Sequence, residues 1–407
     1  MAACLVGGLP SAAFPADSGH WVAAWATAAQ SIPDDPKAPS VLVPPLISHL
    51  TIRQIIYPRL GATRWRLRLS NVESAIPVRI EAIHIASVLR GAATQPASDR
   101  TLTFGGSTQL TLEPGQTRAS DTFSLPDPDG GPLAVSLYIA DTVKPGAWHR
   151  VANQTAFLST DGNHAGDTSA ENFRPRSTAY YWLAGLDAYV ENGDTSALVA
   201  IGDSITDGMR SSLNMNRRWP DGLARRFAAE GVKLAVLNLG ISGNRLLSDS
   251  SCYGPALLRR FERDALTQPG VKYVAVLEGI NDINFADMPP HAGVDCDAPH
   301  TRVSAASMIA GYRQLIAAAH ARGVRIYGAT LTPADLPPAR EALRQQINGW
   351  IRSSGQFDAV LDFDLALRDP ARPTWLQRRF DSGDHIHPSD PGYAAMAAAI
   401  PLQRFAK

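Results

Sequence analysis

A chain of 407 residues is longer than one typical domain, and its 45% hydrophobic content suits a globular protein with a real core. Lysine plus arginine number 38 and aspartate plus glutamate number 38, so no net field favours nucleic acid or an anionic membrane as partner. No stretch approaches the roughly 20 apolar residues that span a bilayer, which excludes integral membrane association.

Residues 1–19 open with MAACLVGGLPSAAFPA, small and apolar like an export signal but without a basic start. They read either as a shortened signal, with secretion or a periplasmic location to follow, or as a plain flexible terminus. The 3 cysteines form no Cys-x-x-Cys pair, and no metal or redox motif accompanies them. If Cys4 leaves with a signal, Cys252 and Cys296 remain to bridge after export or to stand as two unlinked thiols.

Within a domain expected over residues 20–177, the pattern from about Ser48 to Val143 has period two. Trp65, Leu67 and Leu69 alternate with arginines, and Leu133, Val135, Leu137 and Ile139 alternate with small or polar residues. Glu113-Pro114-Gly115 and similar turns punctuate the runs, which predicts an antiparallel β-sandwich domain. Trp21 and Trp25 are expected to pack against this domain rather than to stack on a sugar.

Residues 178–195 are expected to be a linker. From 196 to 407 strands alternate with helices: strands at Ala197–Ile201, Leu234–Leu239, Tyr273–Leu277, Arg325–Thr330 and Ala359–Phe363. Helices are expected at Trp219–Glu230, Ala256–Leu266, Ala305–Arg322, Pro338–Ser353 and Tyr393–Ile400. Five strands spaced by helices imply a parallel sheet covered on both faces, flavodoxin-like and three-layered, with ligands at the carboxyl ends of its strands.

Chemistry gathers at those ends. The first strand runs into Asp203-Ser204-Ile205-Thr206-Asp207-Gly208, which presents a serine hydroxyl at a turn, although a serine there is also an ordinary helix cap. The spacing is not the Gly-x-Ser-x-Gly of the α/β-hydrolase elbow. The second strand ends in Gly240-Ile241-Ser242-Gly243-Asn244-Arg245 and the third in Glu278-Gly279-Ile280-Asn281-Asp282. Both supply donors suited to a developing oxyanion. Near the C-terminus, Asp384 stands three residues before His387, where it can hold Nδ1 and leave Nε2 free to take a proton. Asp384, His385, His387 and Asp390 could alternatively hold a metal, but no matching ligands stand elsewhere.

These four blocks, in this order, resemble the SGNH or GDSL hydrolases, over roughly Ala197 to Phe405. The resemblance implies a serine esterase with Ser204 as nucleophile, His387 as base and Asp384 as its orienter. It also implies an oxyanion hole from the N–H of Ser204, the N–H of Gly243 and the amide of Asn281, with no cofactor and no metal. Gly243 is preferred over Gly240 because a polar Asn244 follows it.

The Trp-rich start and β-domain further resemble secreted carbohydrate acetylesterases, so the expected partner is a small ester or an acetylated carbohydrate. A lipid or aryl esterase is the rival within the same chemistry. A non-catalytic carbohydrate-binding protein is the rival of another class. Arg245 and Trp219 are candidate substrate contacts, Asp203 a support for the nucleophile loop, and Glu278 a carboxylate without an evident partner.

Overall fold

A computed structural model of the protein describes residues 19–125, 131–191 and 193–405. The stretch read as an export signal, with Cys4, falls outside them except for Gly19.

Among the described residues, the N-terminal domain is built on a four-stranded and a seven-stranded antiparallel sheet. Alternation along each strand turns one apolar row inward. Trp65, Leu67 and Leu69 of Arg64–Ser70 meet Ile52 and Ile56 of Leu50–Ile56, and Val135 and Leu137 of Leu133–Ile139, in one core. This is the sandwich that the period-two pattern implies.

The linker expectation is corrected. Leu183–Val190 is a strand that pairs on one side with His20–Ala26 and on the other with Arg64–Ser70. Its mixed sequence hid a strand whose partners lie far away in the chain. His20–Ala26 is in turn shared between two cores: Ala24 and Trp25 pack in the sandwich, while Val22, Ala23 and Ala26 pack against the C-terminal domain. The Ala23 N–H donates to the Pro269 carbonyl at 2.9 Å.

The C-terminal domain carries a five-stranded parallel sheet in the order Leu234–Gly240, Ser196–Gly202, Val271–Leu277, Arg325–Ala329, Ala359–Leu361. Ser196–Gly202 is buried along its whole length, as a strand covered on both faces must be. The strand order reverses around it, so the site-forming crevice opens at its carboxyl end. Helices fall close to expectation at Trp219–Ala229, Ala305–Ala321, Pro338–Ser353 and Asp390–Ala399.

Two predicted elements differ. The helix expected over Ala256–Leu266 is α-helical over Leu257–Phe261 and then widens into a π-turn at Glu262–Leu266. The last strand stops at Leu361 because the Asp362 side chain accepts from the Leu365 N–H and caps a short helix, Phe363–Leu367.

Candidate active site

The nucleophile turn begins where Gly202 leaves no room for a side chain, since a Cβ there would meet the Leu277 carbonyl. Asp203 then caps a one-turn helix, Ser204–Asp207, accepting from the Ile205 N–H at 2.9 Å. Gly208, at φ 99°, ends it in the left-handed region. Ser204 is therefore not the cap: it is the first residue of the helix, and its hydroxyl faces a histidine.

That histidine is His387. Ser204 Oγ lies 2.8 Å from His387 Nε2, and His387 Nδ1 lies 2.9 Å from Asp384 Oδ2. The other oxygen of Asp384 accepts from the N–H groups of Ile386 and His387, so the carboxylate is clamped by its own loop. Burial pushes the Asp384 carboxyl up, but the side-chain and backbone bonds from His387 outweigh it and hold the group below the usual carboxylate range. Arg210 adds a salt bridge to Asp384 Oδ2 at 3.1 Å from the solvent side.

On the opposite side, Gly243 adopts φ 85°, and the ring of Tyr253 lies where a Cβ would be. Asn281 donates to the Asn244 carbonyl at 2.8 Å, which leaves its second amide hydrogen available. Among the described residues, the backbone N–H groups of Ser204 and Gly243 donate to no protein acceptor. The set therefore offers three donors beside one hydroxyl.

A buried network braces this side. Asn244 donates to the carbonyls of Tyr253 and Pro255 and accepts from Arg260, whose guanidinium also reaches the carbonyls of Leu239 and Gly202. Asp282 accepts from the N–H groups of Leu246 and Leu247, and burial pushes its carboxyl up to about 6. Asp207 accepts from the N–H and hydroxyl of Ser242, and its other oxygen lies 3.1 Å from Nε2 of His149, a residue of the β-domain.

Asp203, expected to support the nucleophile loop, does so through its cap, and burial pushes it up to about 7. Glu278, which the sequence left without a partner, is fully buried with Arg260 4.0 Å away. Among the described residues no side chain hydrogen-bonds to either of its oxygens, and burial raises its carboxyl well above the ordinary range.

Two proposed substrate contacts are corrected. Arg245 is buried, and its guanidinium donates to the carbonyls of Asp249, Asp297, Ala298 and Pro299, so it ties loops together. Trp219 is buried against Phe363 with ring centroids 5.4 Å apart. Trp25 packs edge-on to Tyr180, as expected, and Trp21 packs edge-on to Tyr189.

The alternative metal set diverges. His385 pairs with Asp381, Asp390 with Ser212 and Arg217, and Asp384 with His387. Cys252 and Cys296, left open by the sequence, are joined by a disulfide that closes the loop carrying Tyr253.

Residues 200–395 match the model of the GDSL-like lipase/acylhydrolase family. The C-terminal domain belongs to that family. The protein is a carboxylic ester hydrolase. Among solved structures, the chain is similar to Axe2, an acetylxylan esterase from Geobacillus stearothermophilus, at 22% identity, over 53% of this chain and 97% of that one, with a TM-score of 0.38. It is also similar to a GDSL-like lipase from Bacteroides thetaiotaomicron, at 18% identity, over 52% and 88%, with a TM-score of 0.35. Comparison with curated proteins finds no match.

The sequence reading missed His149, Asp207, Arg210, Tyr253 and Arg260. Arg260 and Asp207 carried a faint signal, a charge inside an otherwise apolar or motif segment. His149 carried none, because only the docking of the two domains brings it to Asp207.

Proposed function

We propose that the protein removes short acyl groups, acetyl first among them, from carbohydrate esters through an acyl-enzyme on Ser204. The observation that carries the chemistry is the continuous chain from Ser204 Oγ through His387 to Asp384, at 2.8 and 2.9 Å. His387 Nε2 takes the hydroxyl proton as Ser204 Oγ attacks the ester carbonyl, and Asp384 holds the imidazole and steadies the charge it gains. The N–H groups of Ser204 and Gly243 and the amide of Asn281 receive the oxyanion. His387 then returns the proton to the departing alcohol, and water releases the acid by the same route. Every step is carried by groups of this chain.

The acetylated-carbohydrate reading rests on the resemblance in the motif blocks and β-domain, and on Tyr253 standing directly against Gly243, which narrows the space beside the oxyanion donors. Among the described residues no helix is long and apolar enough to cross a membrane. The disulfide supports an exported location.

Labelling by a fluorophosphonate probe, lost in Ser204→Ala, tests the nucleophile. Acetate release from acetylated xylan, pectin and glucomannan tests the substrate, together with an acetyl, butyryl and octanoyl ester series. A rise of kcat/KM with chain length would overturn the acetyl assignment, and an unlabelled wild type would overturn the nucleophile.

A further inference from the structure

One cation near the site has no side-chain partner among the described residues. Arg150 follows His149 in the β-domain, and its partly buried side chain makes no ion pair or hydrogen bond among the described residues; its Nε is shielded from solvent and unpaired. An arginine in that state lacks the acceptor that normally offsets the loss of its water.

Its backbone is placed from two directions. His149, one residue earlier, lies 3.1 Å from Asp207 at the end of the nucleophile turn. The Arg150 N–H donates to Gln30 Oε1, and the Gln30 amide in turn donates to the Cys252 carbonyl, next to Tyr253. Tyr253 lies against Gly243 on one side and, with ring centroids 5.7 Å apart, against Phe285 on the other. Burial pushes the Tyr253 phenol up, and Asp297 adds to this, while the charge of Arg150 is near enough to oppose both. The acidic residues in this neighbourhood are already engaged: Asp295 with His300, and Asp297 with His291.

We infer that Arg150 and Tyr253 form a subsite beside the oxyanion donors for a carboxylate borne by the ester, as on an acetylated uronic acid. The inference rests on the proposed hydrolysis at Ser204. The planar guanidinium meets a carboxylate with two parallel N–H donors, the phenol hydroxyl adds a third donor, and the Tyr253–Phe285 pair supplies an aromatic wall. The β-domain thereby contributes a binding side chain to the hydrolase site.

The test uses the full-length enzyme with p-nitrophenyl acetate as reporter, and methyl glucuronoside and methyl glucoside as competitors that differ only in the carboxylate. Methyl glucuronoside is expected to inhibit competitively, at least about tenfold better than methyl glucoside, with the preference shrinking in high salt. Arg150→Gln should bring the two inhibition constants together, Arg150→Lys should keep part of the difference, and Tyr253→Phe should lose a smaller part. Equal inhibition by both glycosides in the wild type, or a preference that survives Arg150→Gln, overturns the subsite. Absence of p-nitrophenyl acetate turnover in the wild type overturns instead the hydrolysis on which it rests, so the two failures are distinguishable. Matched melting temperatures of the variants show that the fold is intact.

Discussion

The two sides of the candidate site are built in opposite ways. The histidine side is local and partly exposed: Asp384 and His387 are three residues apart, and bonds inside one turn fix both. The oxyanion side is assembled from distant segments and kept dry. Gly243 and Asn281 are held through Asn244, Arg260 and Asp282, and beneath them Asp207 is tied to His149 in the other domain. A base that must move a proton tolerates solvent nearby, whereas donors for an oxyanion act best when preorganised away from water.

The largest effects should come from breaking the local side. Ser204→Ala or His387→Ala is expected to lower kcat by on the order of 10⁶, and Asp384→Asn by about 10⁴, as in other serine hydrolases. Steady-state kinetics on p-nitrophenyl acetate check both, and activity within tenfold of wild type in Ser204→Ala would remove the serine from its role. On the oxyanion side, Asn281→Ala should lower kcat by about 10²–10³ with little change in KM. A loss confined to KM would make Asn281 a ground-state contact instead.

That difference in construction also explains what the sequence disclosed. Ser204, Asp384 and His387 were legible because the residue types and their spacing already contain most of their geometry. The parallel sheet was legible too, since each of its strands is a short apolar run between helical patterns. Arg245 and Trp219 were misjudged because proximity in sequence to Gly243 and to the nucleophile turn says nothing about burial; Arg245 spends its donors on backbone carbonyls, and Trp219 fills the core against Phe363. Leu183–Val190 was misread for a related reason: its partners lie more than a hundred residues away, so no local pattern announces the strand.

His149 tests how far the oxyanion side depends on the other domain. Its ring nitrogens face the Ala28 carbonyl and Asp207 Oδ1, both buried. His149→Ala removes the ring that lies between a buried carboxylate oxygen and a buried carbonyl, at a cost of about 1–3 kcal/mol for the acceptor that loses its donor. A lower melting temperature with a fall in kcat smaller than that of Asn281→Ala is expected. An unchanged melting temperature would mean that the two domains are held together without this contact.

The buried carboxylates give the dry side its own pH dependence. Asp203 is raised to about 7 and Asp282 to about 6, both from an ordinary 3.8, with burial the leading cause. A raised carboxyl binds its proton more tightly in the fold than in the unfolded chain, so its stabilising contribution is complete below about pH 4 and lost as pH rises through 6 and 7. These groups should therefore make the melting temperature fall across that window. Glu278, also raised by burial, should add to the fall, and Glu278→Gln should flatten it. An identical slope in wild type and Glu278→Gln would show that no charge develops at that position.

The smallest effect is expected at Arg210, where the exposed side of the site can be probed alone. Its salt bridge reaches the same Asp384 oxygen that His387 uses, yet its side chain is 59% exposed, so water and salt screen the pair. Two backbone N–H groups and the imidazole already hold Asp384, and removing one screened charge leaves all three in place. Arg210→Ala should therefore change kcat by less than about fivefold and stability by less than about 1 kcal/mol, with the difference vanishing in high salt. A loss as large as that of Asp384→Asn would show that the local clamp is insufficient by itself, and that the exposed side is held from outside its own loop as the buried side is.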